Sequence, residues 1–309
     1  MNYLVVGYGN IGRRRAALLG RRCVATVDPV ATDAACRSVD EVPAHRYDAV
    51  VLATPNDVKA EYLRRFLAAG KSVLVEKPLL VEDRGEIEAL AAVARGGAIW
   101  YTSYTLRFEP LVRRLKELVD EGAVGAVDRI RMTYGNGTVR HWRGTWREAG
   151  GGVIEDLGCH LIDLCAWLHG RSDGTGYVLW DCRRIESATW DYALFASPDR
   201  RVVMEVGLVF WKNHFAIDVH GDAGSLHLRG LGKWGPVTLT HHARVLPSGV
   251  PRTTEQTAAA GDDTWAADFA EFERRVKRAA SSADDDAFIG GALRTLVGQA
   301  HEPMLAEAR

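Results

Sequence analysis

Gly7-Tyr8-Gly9-Asn10-Ile11-Gly12 follows directly on the apolar run Tyr3 to Val6, and Asp28 closes a second apolar run, Cys23 to Val27. This order of strand, glycine turn, helix, strand and acid is the fingerprint of a dinucleotide-binding βαβ unit. Each residue type has a physical task. Gly7 permits the tight turn out of the strand, Gly9 lets the backbone approach a pyrophosphate, and Gly12 lets the next helix pack close to the sheet. That helix is predicted from about Ile11 to Leu19. Its leading amides, around Asn10 and Ile11, then point at an anion, which the helix macrodipole favours.

Asp28 stands where a carboxylate accepts hydrogen bonds from the adenosine ribose hydroxyls. It would repel a 2'-phosphate, so NAD is expected over NADP. NADP stays open, because Arg13, Arg14 and Arg15 place cations near the same turn; they are read here as a solvated helix face.

The chain has 309 residues, 47% hydrophobic and 26% charged, with a formal net charge of -1. A chain of this size is expected to divide into two domains. The near-zero charge gives no electrostatic reason for nucleic acid or membrane-surface binding. The absence of an 18-residue apolar run predicts no membrane span, and a start that runs straight into a strand predicts no signal peptide. Five cysteines without framework spacing read as reduced thiols in a cytoplasmic protein. Cys159, His160 and the pair His241-His242 share no ligand spacing, so no metal is expected.

Apolar strands alternate with helical patterns up to residue 107, as a doubly wound parallel sheet requires. Beyond it, alternating runs from Tyr177 to Leu228 suggest an open, mostly antiparallel sheet. The fold class expected is therefore α/β, with a Rossmann domain over 1–107 and a substrate-binding and oligomerisation α/β domain over 108–309. Residues 243–262 read as a loop, and two closing helices are predicted at about Trp265 to Arg278 and Ala287 to Ala300.

Two further constellations carry chemistry. Glu76-Lys77-Pro78 ends a parallel strand, at the side where ligands of such sheets bind, so Lys77 is placed to polarise a substrate oxygen during hydride transfer. Pro78 is a candidate for a cis peptide. In the run Gly150 to Asp163, a helix would put Asp156, His160 and Asp163 on one face, with the small Gly158 leaving room beside it. A carboxylate one turn from an imidazole can orient it as a general base.

With these residues in view, the chain resembles the glucose-fructose oxidoreductase and inositol dehydrogenase family (Gfo/Idh/MocA). The resemblance rests on Gly7 to Gly12, Ala53-Thr54-Pro55-Asn56, Glu76-Lys77-Pro78, Tyr104 to Phe108 and Gly150 to Asp163. It implies a cofactor in a cleft, catalytic roles for Lys77, Asp156 and His160, and cofactor-lining roles for Thr54, Pro55, Asn56 and Glu76. It also implies homodimers or homotetramers joined through the second sheet. The chain departs from the pattern at Arg15 and Lys59, where family members frequently carry histidine.

The activity expected is NAD(P)-dependent interconversion of a secondary alcohol and a ketone on a sugar, nucleotide sugar or cyclitol. Two alternatives stand beside it. One is a redox-neutral epimerase or transhydrogenase that keeps its cofactor; the other is a non-catalytic dinucleotide sensor. Candidate substrate contacts are Tyr104, Arg107, His141 and Trp142, the last two in a loop from Asn136 to Trp146 rich in aromatic and forked donors. Arg107 is read mainly as a fastener of the domain interface. Trp211, Lys212 and the segment Lys233 to Pro236 receive no role.

Overall fold

The computed structural model describes residues 1–144, 148, 150–171 and 176–302. The chain forms two compact units. The first holds Met1–Tyr104 and Ala266–Gly290; the second holds Thr105–Trp265 and residues from Gly291 onward.

In the first unit, β1 (Tyr3–Val6), β2 (Cys23–Val27), β3 (Ala49–Leu52), β4 (Ser72–Glu76) and β5 (Trp100–Ser103) form a parallel sheet in the order β2-β1-β3-β4-β5. Helices α1 (Asn10–Leu19), α2 (Asn56–Ala68) and α3 (Arg84–Val93) join consecutive strands. The central strands are continuous apolar runs because a parallel sheet is buried on both faces. Leu4, Val6, Val50, Leu52, Val73 and Val75 pack with Leu63 and Phe66 of α2 and with Ile87 and Leu90 of α3. On the other face, Tyr3, Val5, Val51, Leu74 and Tyr101 pack with Leu19, Phe269 and Phe272.

Phe269 and Phe272 belong to α6 (Thr264–Arg278), far along the chain from the strands they cover. Burying each of these rings contributes about 2–3 kcal/mol. Trp100 Nε1 and Thr102 Oγ1 donate to Asp286 at the start of α7 (Ala283–His301). The sequence division at residue 107 therefore departs from the structure in kind: the first unit is discontinuous. Its sheet needs cover on both faces, and part of that cover returns from residues 266–290.

In the second unit, β6 (Val127–Gly135), β7 (Val178–Arg183), β8 (Tyr192–Ala196), β9 (Val202–Gly207), β10 (His214–Gly221), β11 (Gly224–Arg229), β12 (Val237–Val245) and β13 (Gly249–Ala258) form an eight-stranded sheet in the order β13-β12-β11-β10-β6-β9-β8-β7. Only the β6–β9 pair is parallel. Alternate residues such as Ile130, Met132, Phe215, Ile217, Leu226 and Leu228 are buried, whereas Arg129, Asp218, His220 and His227 alternate with them on the opposite face. Helices α4 (Pro110–Asp120) and α5 (Cys159–His169) pack against this sheet. Among the described residues no helix is long and apolar enough to cross a membrane.

Two expectations are corrected here. The predicted loop at 243–262 holds the end of β12 and all of β13, paired from Val237↔Ala258 to Val245↔Gly249. An edge strand whose side chains are nearly all exposed has no apolar alternation to announce it; its ladder to β12 defines it. The helix expected within the run Gly150 to Asp163 begins with a π turn, Ile154–Gly158, before α5. That wider turn rotates every later side chain relative to those before it.

Candidate active site

The parallel strands β2, β1, β3 and β4 lie side by side, so their carboxyl ends share one edge, and the order reverses direction beside β1. Asp28 follows β2, the glycine turn follows β1, Thr54-Pro55-Asn56 follows β3, and Glu76-Lys77 ends β4 and continues past it. The Lys77–Pro78 peptide is cis.

The glycine turn is sterically required. Gly7 has φ +89, and a Cβ on Gly12 would sit 1.8 Å from the Gly7 carbonyl oxygen. Even alanine at position 12 would push α1 off the sheet. A Cβ at Gly9 would meet nothing within 4 Å, so the backbone there borders open space. The Thr54 Oγ1 is buried without a hydrogen-bond partner among the described residues. A cleared backbone at a helix N-terminus and a waiting hydroxyl on the neighbouring strand end fit a dinucleotide.

Asp28 Oδ2 accepts from the Tyr8 amide, and its Oδ1 accepts from the Val30 and Ala31 amides. Burial works against its charge, but the three amides, with Arg37 beyond them, hold its pKa below the ordinary carboxylate range. The group is thus anionic at the carboxyl end of β2. Because folding lowers this pKa, the stability Asp28 contributes is complete above its unfolded value and is lost as pH falls through the lower folded one. NAD affinity should accordingly hold from neutral pH down to about 4 and decline only below it, as titration calorimetry across that range will read. Asp28→Ser should cut the preference for NAD over NADP by about tenfold or more, measured as the ratio of dissociation constants.

The three arginines do not form one solvated face. Arg13 pairs with Asp33, with its guanidinium over the Tyr8 ring. Arg15 is fully buried: it bonds Glu76 at 2.7 Å, Asp268 at 2.8 Å and Ser103 Oγ at 2.6 Å. Ser103 and Tyr101 both donate to the Asp268 carboxylate. Burial opposes the Arg15 charge, but Glu76 and Asp268 outweigh it and raise its pKa; burial pushes Asp268 upward, with Arg15 opposing. Lys59 is also buried, against Asn56 and the carbonyls of residues 76–78. Sequence reasoning assigned neither residue to the site. The Lys59–Asn56 contact, three residues apart in the first turn of α2, was legible in principle; the Arg15–Asp268 contact had no local signal.

In the second unit, Asp156 lies in the π turn and His160 in the first turn of α5, 8% exposed. Asp163 lies further along α5. Its carboxylate takes Arg107 in a two-pronged bond, Nε to Oδ2 at 2.9 Å and Nη2 to Oδ1 at 2.5 Å. The predicted face assumed a uniform 3.6-residue period, and the π turn interrupts that period between Asp156 and the α5 residues His160 and Asp163. Arg107 thereby ties the turn Thr105–Phe108 to α5 within its own unit.

The His160 ring lies 5.7 Å from the Tyr134 ring, measured between centroids. Lys233 donates to the Tyr134 hydroxyl at 3.1 Å, and Trp234 stands 5.8 Å from the same ring. The structure thus brings Lys233 and Trp234, which had no expected role, into one cluster with His160. Of the other expected substrate contacts, Tyr104 is buried at 4% exposure and Trp142 at 6%, whereas His141 is exposed. Trp146, at the far end of the Asn136 to Trp146 loop, lies outside the described residues.

A doubly wound sheet with this glycine turn and an acid after β2 defines the class: an NAD-binding Rossmann oxidoreductase. Residues 1–101 match the oxidoreductase family model described as an NAD-binding Rossmann fold, and residues 112–227 match the GFO/IDH/MocA C-terminal domain. The chain belongs to the GFO/IDH/MocA oxidoreductase family. It is similar to inositol 2-dehydrogenase of Rhizobium meliloti, with 26% identity over 244 residues covering 72% of this chain and 73% of that protein. Among solved structures it superposes on an NADPH-dependent oxidoreductase from Desulfitobacterium hafniense with a TM-score of 0.82, at 18% identity, covering 98% of this chain and 96% of the other. It also superposes on a levoglucosan dehydrogenase in complex with NADH, with a TM-score of 0.75 at 18% identity, covering 97% of each chain.

Proposed function

We propose that this protein interconverts a secondary alcohol and a ketone on a sugar, nucleotide sugar or cyclitol, using NAD in preference to NADP. The observation that carries the reading is the placement of Lys77 at the sheet edge that also bears the glycine turn, Asp28 and Thr54 to Asn56. The similarity to inositol 2-dehydrogenase supports the substrate class.

Each unit contributes its own groups. His160 takes the hydroxyl proton at a ring nitrogen, and Asp156, one turn earlier, orients the imidazole. The Lys77 ammonium donates to a substrate oxygen while negative charge grows on it, and so stabilises a developing alkoxide. The nicotinamide supplies the hydride acceptor for oxidation and the donor for reduction. Tyr134 and Trp234 offer aromatic faces beside His160, and Lys233 a donor, as a hydroxylated ring requires. Dimers or tetramers joined through the second sheet, and a cytoplasmic setting, belong to the same reading.

The test is direct. The nucleotide that co-purifies is identified by mass, and sugars, cyclitols and nucleotide sugars are screened at the reduced nicotinamide absorbance band. Turnover of one of these classes, with reduced cofactor appearing in step with ketone, is the expected result. Turnover confined to substrates without a secondary alcohol or ketone would overturn the assignment. A cofactor that never leaves the protein during net epimerisation would replace it with the redox-neutral alternative.

A further inference from the structure

Lys59 sits in the first turn of α2 and is 2% exposed. Its Nζ lies 2.6 Å from the Glu76 carbonyl oxygen, 2.9 Å from that of Pro78, 3.3 Å from that of Lys77, and 2.7 Å from Asn56 Oδ1. All four atoms are acceptors. A neutral amine offers two donors and an ammonium three, so this cage calls for the protonated form. One buried cation therefore joins two chain segments, the β3–α2 turn and the residues following β4.

The sheet order says which part of a dinucleotide those segments would meet. The pyrophosphate belongs at the glycine turn after β1, and the adenosine ribose at Asp28, on the β2 side. The other half of the molecule must extend the opposite way, across the ends of β3 and β4. Arg15 acts on the same place from α1, because it holds the Glu76 carboxylate whose backbone carbonyl Lys59 holds. Arg15 and Lys59 thus converge on one turn.

We propose that Lys59 is a positioning residue for the nicotinamide half of the cofactor, acting through Asn56 and the backbone of Glu76 to Pro78. It fixes the course of the chain at Lys77, and with it the origin of the lysine side chain, without touching substrate. The proposal rests on the cofactor being a nicotinamide dinucleotide and needs no knowledge of the substrate.

The experiment compares NADH with ADP-ribose, which keeps the adenosine and pyrophosphate but lacks the nicotinamide. Dissociation constants are measured by titration calorimetry for the wild type, Lys59→Met and Lys59→His, with the melting temperature of each unliganded protein. In Lys59→Met, NADH should bind about tenfold more weakly while ADP-ribose stays within about twofold. Lys59→His should recover part of the NADH loss. Equal weakening of both ligands would reveal a general loss of structure and overturn the proposal, as would unchanged NADH binding in a folded variant. If Lys59→Met does not fold, Asn56→Ala removes one corner of the cage while leaving the lysine, and the same selective loss of NADH is expected; equal effects on the two ligands would again refute the idea. A protein that bound neither nucleotide would instead defeat the cofactor reading itself.

Discussion

Lys77→Met should lower kcat by about 10²- to 10³-fold, the loss expected when one donor to a developing oxyanion is removed. The dissociation constant for NADH should hardly move, because the change leaves the glycine turn, Asp28 and Thr54 in place. Methionine keeps most of the side-chain volume and removes the charge, so packing at the strand end is preserved. His160→Ala should cost about 10²- to 10⁴-fold in kcat, the usual range for a general acid or base. Steady-state kinetics on the substrate found in the screen, with NADH binding as a control for folding, reads all of this. Full activity in both single variants would sink the catalytic assignment.

The second large effect is on stability. Arg15→Met leaves Glu76 and Asp268 facing one another around a space that has lost its cation, with the Asp268 side chain fully buried. Removing one partner of such a group costs about 3–5 kcal/mol, because a carboxylate remains out of water with its compensation gone. Thermal unfolding of the unliganded protein should show a fall of several degrees. Asp268→Asn, which keeps the shape and a hydrogen-bond acceptor, should cost less. A melting temperature unchanged in Arg15→Met would mean that the network contributes nothing net. NADH affinity should fall as well, since Arg15 holds the Glu76 side chain at the cofactor edge.

Several features of the candidate site were readable in order along the chain because they are local. A glycine turn between a strand and a helix is a backbone requirement, met by Gly7 with φ +89 and by Gly12 against the Gly7 carbonyl. The acid after β2 and the lysine after β4 are likewise marked by the strands they follow. Period alone was less dependable. It counted Asp156, His160 and Asp163 on one uniform face, whereas a π turn at Ile154–Gly158 interrupts the period ahead of His160 and Asp163, and Asp163 pairs with Arg107. It also passed over β13, whose exposed Thr-rich residues carry no apolar stripe and which is a strand through its partner β12.

The sequence by itself determined the βαβ fingerprint, the expectation of NAD over NADP from Asp28, and the candidacy of Lys77, Asp156 and His160. Those rest on short-range rules, in which the allowed backbone geometry and the chemistry of one turn are written within a few residues. Only the tertiary structure decided that Arg15 and Lys59 are buried cations gripping the end of β4, that Lys233 and Trp234 join Tyr134 and His160, and that residues 266–290 complete the first unit. The reason in each case is the same. A buried charge or an uncovered sheet face must find its partner wherever the chain supplies one, and the carboxylate partners of Arg15 lie 61 and more than 200 residues away.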